Sequence, residues 1–360
     1  MKNLLIIAVL FTAFNQVSNA QGCVAIRSTG GICTMSHQAD SITDAPSKWI
    51  FNAGTRYFKS YKHFKGKEEQ VERVENGTEV INHSFTLDLS ILRNLNNRWS
   101  LYAGVPIISN ARSSLYEHGG KERISTHSFG IGDARVAAYY WLIDPKKSKR
   151  FNVQAGLGIK LPTGDYKYQD YFGPDSAKLL GPVDQSIQLG DGGTGITAEI
   201  NLYYHLAKRL GVYGNFFYMA NPREQNGVST SRGKPTSAAN VANGSDVMSV
   251  PDQFLVRGGF NYAINKLVAT AGVRMECVTV YDLIGGDNGF RRPGYVISAE
   301  PGLTYGFKKV NAFLTVPIAI ERNRTQSVPD KITSSKTGVY RHGDAAFADY
   351  SINLGVSIKL

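Results

Sequence analysis

The sequence predicts an all-β chain closed into a transmembrane antiparallel β-barrel of about 12 strands, of the outer-membrane type. Three observations point there. The first is the C-terminus. Tyr350, Ile352, Leu354, Val356, Ile358 and Leu360 fall on one face, and Asp349, Ser351, Asn353, Gly355, Ser357 and Lys359 on the other. Period two is a strand, and a strand at a chain end needs a partner on both edges. No long helical stripe elsewhere could cover its apolar face, whereas a barrel in lipid turns apolar residues outward, polar residues inward, and leaves no edge. The second is the N-terminus. Lys2, the apolar run Leu4 to Phe14 and the small-polar-small Ser18-Asn19-Ala20 form an export signal over 1–20, with the mature chain starting at Gln21. A lipid on Cys23 would need a preceding Leu that Ala20-Gln21-Gly22 lacks. The third is the alternation of short turns with long loops along the chain.

Composition fits. Gly is abundant (37), Tyr (19) outnumbers Phe (17), and Cys is rare (3). After the leader no apolar run approaches the length of a helical span. The formal charge of +11 could suit nucleic acid, but export and the lack of an aromatic-basic recognition motif exclude that partner. Basic loops meet membrane lipids or anionic solutes instead.

The segment 21–48 has little periodicity and is read as an N-terminal periplasmic or plug segment. Cys23 and Cys33 flank Ser28-Thr29-Gly30-Gly31, and in an oxidising envelope the two thiols are expected to pair. A stapled plug and a stabilised leader without a gating role both fit. The barrel is assigned to 49–360.

Its strands follow in order. Trp49 to Tyr61 alternates, Trp49, Phe51, Ala53 and Tyr57 outward and Asn52, Gly54 and Arg56 inward. The second runs to Ile91 with Phe85, Leu87 and Leu89 outward. The third carries Trp99, Leu101, Ala103 and Val105. Phe129 to Leu142 is the fourth, with Asp133 and Arg135 inward. Phe151, Val153 and Leu157 mark the fifth, and Lys160 faces in. Ile196, Ile200 and Leu202 mark the sixth, with Glu199 inward. Leu210 to Ala220 is the seventh. Val256 and Phe260 define the eighth, with Arg257 inward, and Ala271 and Val273 the ninth, with Arg274 and Glu276 inward and Cys277 free and lipid-facing. Ile297, Leu303 and Tyr305 mark the tenth, with Glu300 inward, and Leu314, Ile318 and Ile320 the eleventh. Long loops follow the odd strands, so both termini lie on the periplasmic side. Pro106, Pro301 and Pro317 fall inside strands and each removes a ladder donor, which predicts bulges or strand ends. Ten or fourteen strands are the alternative counts.

The chain resembles the outer-membrane β-barrel family described as meta-pathway phenol degradation proteins. The resemblance lies in Gly130-Ile131-Gly132-Asp133, in Gly156-Leu157-Gly158-Ile159-Lys160-Leu161-Pro162-Thr163-Gly164 and in the C-terminal alternation. It implies a barrel related in role to hydrophobic-solute channels, and it carries no catalytic residues. The leader cysteines and the stretch Arg274 to Gly294 depart from that pattern.

Inward charges are the candidate solute contacts: Arg56, Asp133, Arg135, Glu199, Arg257, Arg274, Glu276 and Glu300. Paired, they either form a constriction that selects solute charge or pack the lumen as ion pairs. Small inward residues, among them Gly104, Gly156, Gly272 and Gly355, make an open level in the lumen conceivable. In the loops, Tyr166, Tyr168, Tyr171 and Phe172 offer rings to a solute at the mouth. Arg291 and Arg292 meet lipid phosphates, fold inward over the pore, or fix a loop against the wall. Asp282 and Asp287 do not match a calcium loop, so no metal or cofactor is expected. Nor is an enzyme. His83 and Ser84 are adjacent and point to opposite faces, and no nucleophile-elbow or metalloprotease pattern occurs. The function expected is uptake of a small, hydrophobic or aromatic solute. The alternative is a closed barrel acting as a surface binding or structural module. Partners expected are lipid, a small-molecule solute and the barrel-assembly machinery.

Overall fold

The computed structural model describes residues 20–21, 48–120, 122–148, 150–173 and 178–360. The leader through residue 19 and the Cys23–Cys33 pairing lie outside them. Ala20–Gln21 pairs with Val278 and Thr279.

Twelve strands close into one antiparallel ring. They are β1 (Trp49–Lys65), β2 (Ile81–Asn94), β3 (Trp99–Ser114), the two-part β4 (Ile124–Ile131 and Arg135–Trp141), β5 (Phe151–Lys160) and β6 (Gly195–His205). The second half is β7 (Leu210–Ala220), β8 (Gln253–Ile264), β9 (Leu267–Thr279), β10 (Gly294–Gly306), the two-part β11 (Val310–Thr315 and Ile318–Arg324) and β12 (Ala345–Lys359). Each pairs with the next, and β12 pairs back to β1, from Ile50↔Lys359 up to Phe64↔Ala345. The alternation decides the faces. Leu157 is 68% exposed and Phe129 67%, whereas Arg135, Glu199 and Arg274 on the opposite face are 2–3% exposed. The apolar face is the lipid belt and the polar face lines the lumen.

Of the three prolines expected to bring bulges or strand ends, only Pro317 ends a strand; Pro106 and Pro301 stay inside unbroken strands and interrupt the neighbouring strand instead. Pro106 keeps its place in β3, and β4 breaks across from it at Gly132–Ala134, where the Gly132 N–H donates to the Pro106 carbonyl. Pro317 splits β11. Pro301 of β10 sits at that split, its carbonyl accepting from the Val316 N–H.

Two expectations need correction. The first and third strands run further than their apolar stretches. Lys62–Lys65 continues β1 and Ile108–Ser114 continues β3, because the ladder persists above the lipid, where both faces can be polar. Cys277 is not lipid-facing. It shares the outer-face parity, yet it is 1% exposed, with the larger Phe254 and Tyr295 as its cross-strand neighbours.

Several loops build a cap at the far end from Trp49. A helix, Val328–Thr337, starts in a capping box: Ser327 Oγ accepts from the Asp330 N–H, and the Asp330 carboxylate accepts from the Ser327 N–H. The segment Val183–Leu189 turns into the barrel mouth. Its Ile187 carbonyl accepts from Asn110 Nδ2 (3.3 Å) and Ser128 Oγ (2.5 Å), both inward groups of β3 and β4.

Candidate functional site

The inward charges of β1, β8, β9 and β10 meet in one chain of ion pairs. Arg56 Nη2 donates to both oxygens of Glu276 (2.9 and 3.0 Å), Arg274 to Glu276 (2.9 Å) and to Glu300 (3.2 Å), and Arg257 Nη1 lies 3.9 Å from Glu300. Period-two parity turns Arg274 and Glu276 inward side by side on β9. The Arg56–Glu276 contact is different in kind, because β10, β11 and β12 separate the two strands along the wall, so this pair spans the lumen. Charges removed from water stay ionised only when paired in this way.

A second group lies on β4 and β6. Arg135 donates to Glu199 (3.1 Å) and to the Tyr139 hydroxyl, and that hydroxyl donates to Glu199 (2.7 Å). The guanidinium also lies 5.0 Å from the ring of Tyr102 and 5.1 Å from that of Phe217, a cation–π enclosure. Asn201 and Asn215 each donate through Nδ2 to the other oxygen of Glu199 (3.3 and 3.1 Å). Asp133 belongs to a third group, accepting from Lys160 (3.0 Å) and from the Gly164 N–H (3.0 Å), while Lys160 also binds Asp191.

The inward glycines do not open the lumen at one level. Tyr102 occupies the place of a side chain at Gly104, Tyr139 at Gly156, Tyr213 at Gly272 and Phe313 at Gly355. Without a Cβ the wall leaves room for each of these aromatic side chains to approach it closely. The lumen is therefore faced with aromatic rings between points of paired charge.

The loop candidates are dispersed. Tyr166 has Arg223 5.5 Å and Lys167 5.3 Å from its ring. The Tyr168 N–H donates to Gln188 Oε1 (3.0 Å). Tyr171 is 54% exposed, while Phe172 is buried and stacked on His118 at 5.6 Å. The four form no single aromatic mouth. Asp282 pairs with Arg291 (2.7 Å), which is buried and also donates to Ser249 Oγ and to the carbonyls of Val280 and Gly286; this knot fixes the loop after β9. Arg292 folds inward, its two terminal nitrogens on the two oxygens of Asp184 (2.7 and 2.6 Å). Among the described residues no group of three His, Cys, Asp or Glu side chains gathers as metal ligands do.

Sequence reasoning missed the charges around Asp184. Arg112 of β3 approaches it at 3.5 Å and binds Glu117 at 2.8 Å, and Arg232 binds Glu117 at 2.8 Å. Burial works against ionisation of Asp184, but Arg112, Arg292 and Arg232 overcome it and hold the carboxyl well below its ordinary range. The available signal was Val183-Asp-Gln-Ser-Ile-Gln-Leu189, an apolar and polar mixture between glycines inside a long loop.

A closed barrel with an apolar outer belt and a polar, ring-faced lumen defines an outer-membrane protein of the channel type. The chain belongs to the family described as "Putative MetA-pathway of phenol degradation", whose model matches residues 70–328. No curated protein matches the sequence. Among solved structures, the COG4313 outer membrane channel from Pseudomonas putida F1 shares the fold at a TM-score of 0.56 and 12% identity, over 89% of this chain and 97% of that one. Looser likenesses include the Pseudomonas putida toluene transporter TodX (TM-score 0.39, 12% identity, 94% and 95% covered) and the KdgM porin (0.38, 9%, 86% and 99%).

Proposed function

We propose that the barrel takes up a small solute with a hydrophobic or aromatic body across the outer membrane. The observation that carries this is the lumen itself: rings of Tyr102, Tyr139, Tyr213 and Phe313 lie against the wall, and the charges between them are paired. Such a lining contacts an apolar body through ring faces and a polar end through the chain Arg56–Glu276–Arg274–Glu300. The family description and the channel-type fold agree with it. Residues 1–20 would direct export, 21–48 would cap or plug the lumen, and the barrel-assembly machinery would receive the C-terminal strand.

The test is flux of phenol and of a small sugar into liposomes carrying the purified barrel, beside an Arg274→Ala, Glu276→Ala double variant that still folds. Phenol flux above empty liposomes is expected, with small-ion conductance rising severalfold in the variant as Arg56 loses its cross-lumen partner. Flux unchanged in the variant would keep the channel and remove these residues from its mechanism. No flux of either solute would favour the closed binding or structural module, the reading on whose side the inward segment Val183–Leu189 stands.

A further inference from the structure

Above the lumen, under the loop cap, lies a cavity of about 380 Å³. Arg112, Arg232, Arg292 and Arg324 reach it, facing the carboxylates of Asp184, Asp330 and Asp344. Most of these charges are committed. Arg112 uses its donors on Glu117, Asn82 and Ser186. Asp330 caps its helix, and Asp344 is held by His63 (2.7 Å).

Arg232 differs. Its side chain is 28% exposed, against 4% for Arg112, 15% for Arg292 and 4% for Arg324, while its Nη2 alone is engaged, donating to Glu117 (2.8 Å) and lying 3.9 Å from Asp184. A guanidinium carries five N–H donors in a planar fork, so this one has capacity for a further acceptor. Its backbone is also held in the left-handed region, φ +50°, which costs a non-glycine residue energy and persists only where surrounding structure enforces it. The turn packs backbone to backbone on Gly181, where a Cβ would collide with Arg232 and Gly233. The turn therefore delivers Arg232 to the cavity wall. The same wall carries Phe290, whose ring lies 4.8 Å from the Arg292 guanidinium, together with Tyr116 and Met248.

We propose that this cavity is a binding site for a small organic anion, a carboxylate on an apolar or aromatic body, with Arg232 as the principal ligand of the carboxylate and the Phe290 side as the seat of the body. This deepens the uptake reading by naming a capture step at the outer mouth, and it rests on that reading only for the fate of the ligand after binding.

Benzoate is the probe, titrated by calorimetry into the detergent-solubilised full barrel, with benzyl alcohol and inorganic phosphate as comparisons. Saturable benzoate binding is expected, with benzyl alcohol and phosphate each at least tenfold weaker. Arg232→Gln should weaken benzoate about tenfold. Gly181→Ala, which removes no charge but displaces the Arg232 turn, should weaken it severalfold. Absence of saturable benzoate binding to the wild type would overturn the proposal, as would equal affinity in Arg232→Gln. Phosphate matching benzoate would overturn the apolar half of the site. Benzoate binding without benzoate flux in liposomes would leave the site standing and count against uptake alone.

Discussion

Single side chains in this lumen are held by reciprocal pairing, so removing one partner costs more than removing both. Arg135→Ala leaves Glu199 buried and charged with only neutral donors around it. The variant is expected to lose about 3–5 kcal/mol of stability, read as a lower guanidinium midpoint in micelles, with Glu199→Gln in the same chain restoring much of it. Asp344 gives a pH-dependent case outside the wall. Burial pushes its carboxyl up, but the hydrogen bond from His63 and the charges of His63 and Arg73 prevail and hold it at about 2. A carboxyl depressed in the folded state adds stability above its unfolded value, near 4, and loses it as pH falls through about 2. With its side chain more than a third exposed, the contribution is about 1 kcal/mol after screening. Wild type should therefore melt above Asp344→Asn at pH 6, and the gap should close toward pH 2.

At the level of strands and loops, the glycine-seated rings make a sharp expectation. A side chain at Gly156 would occupy the space of the Tyr139 ring. Gly156→Val should drive that ring into the lumen, break its contact with Glu199, cost about 1–3 kcal/mol and reduce phenol flux. The strands themselves were legible because period two is local: Leu157 and Arg135 could be assigned faces without knowing their partners. Parity also found Arg274, Glu276 and Glu300. It could not find that Arg56 reaches Glu276 across the lumen, since that contact depends on curvature and register summed over several strands. Asp184 and Arg232 were less legible still. Their meeting depends on two long loops folding over the same opening, and neither loop carries a period. The tyrosines of 166–171 meet the same limit: composition places rings in a loop but does not say which way the loop folds.

For the whole molecule, the wall is defined by what it shows to lipid. Leu157 lies within β5 and is among the most exposed apolar side chains. Leu157→Arg should lower folding stability in bilayers by about 1–4 kcal/mol, measured as the urea dependence of folding into vesicles, and Leu283→Arg, in the loop after β9, should do little.

The pairing of β12 with β1 also fixes an order of events in time. Every other pair of neighbouring strands joins segments close along the chain, whereas Ile50 meets Lys359 and the Leu360 N–H donates to the Trp49 carbonyl. Eleven pairings of consecutive strands can form while later residues are still arriving, but the seam between first and last strands waits for β12. Until then both margins of a growing curved sheet stay unsatisfied in or beside the bilayer. β12 is thus a clasp, and a chain without it would be left as an open sheet with two adhesive margins, however well its first eleven strands were made.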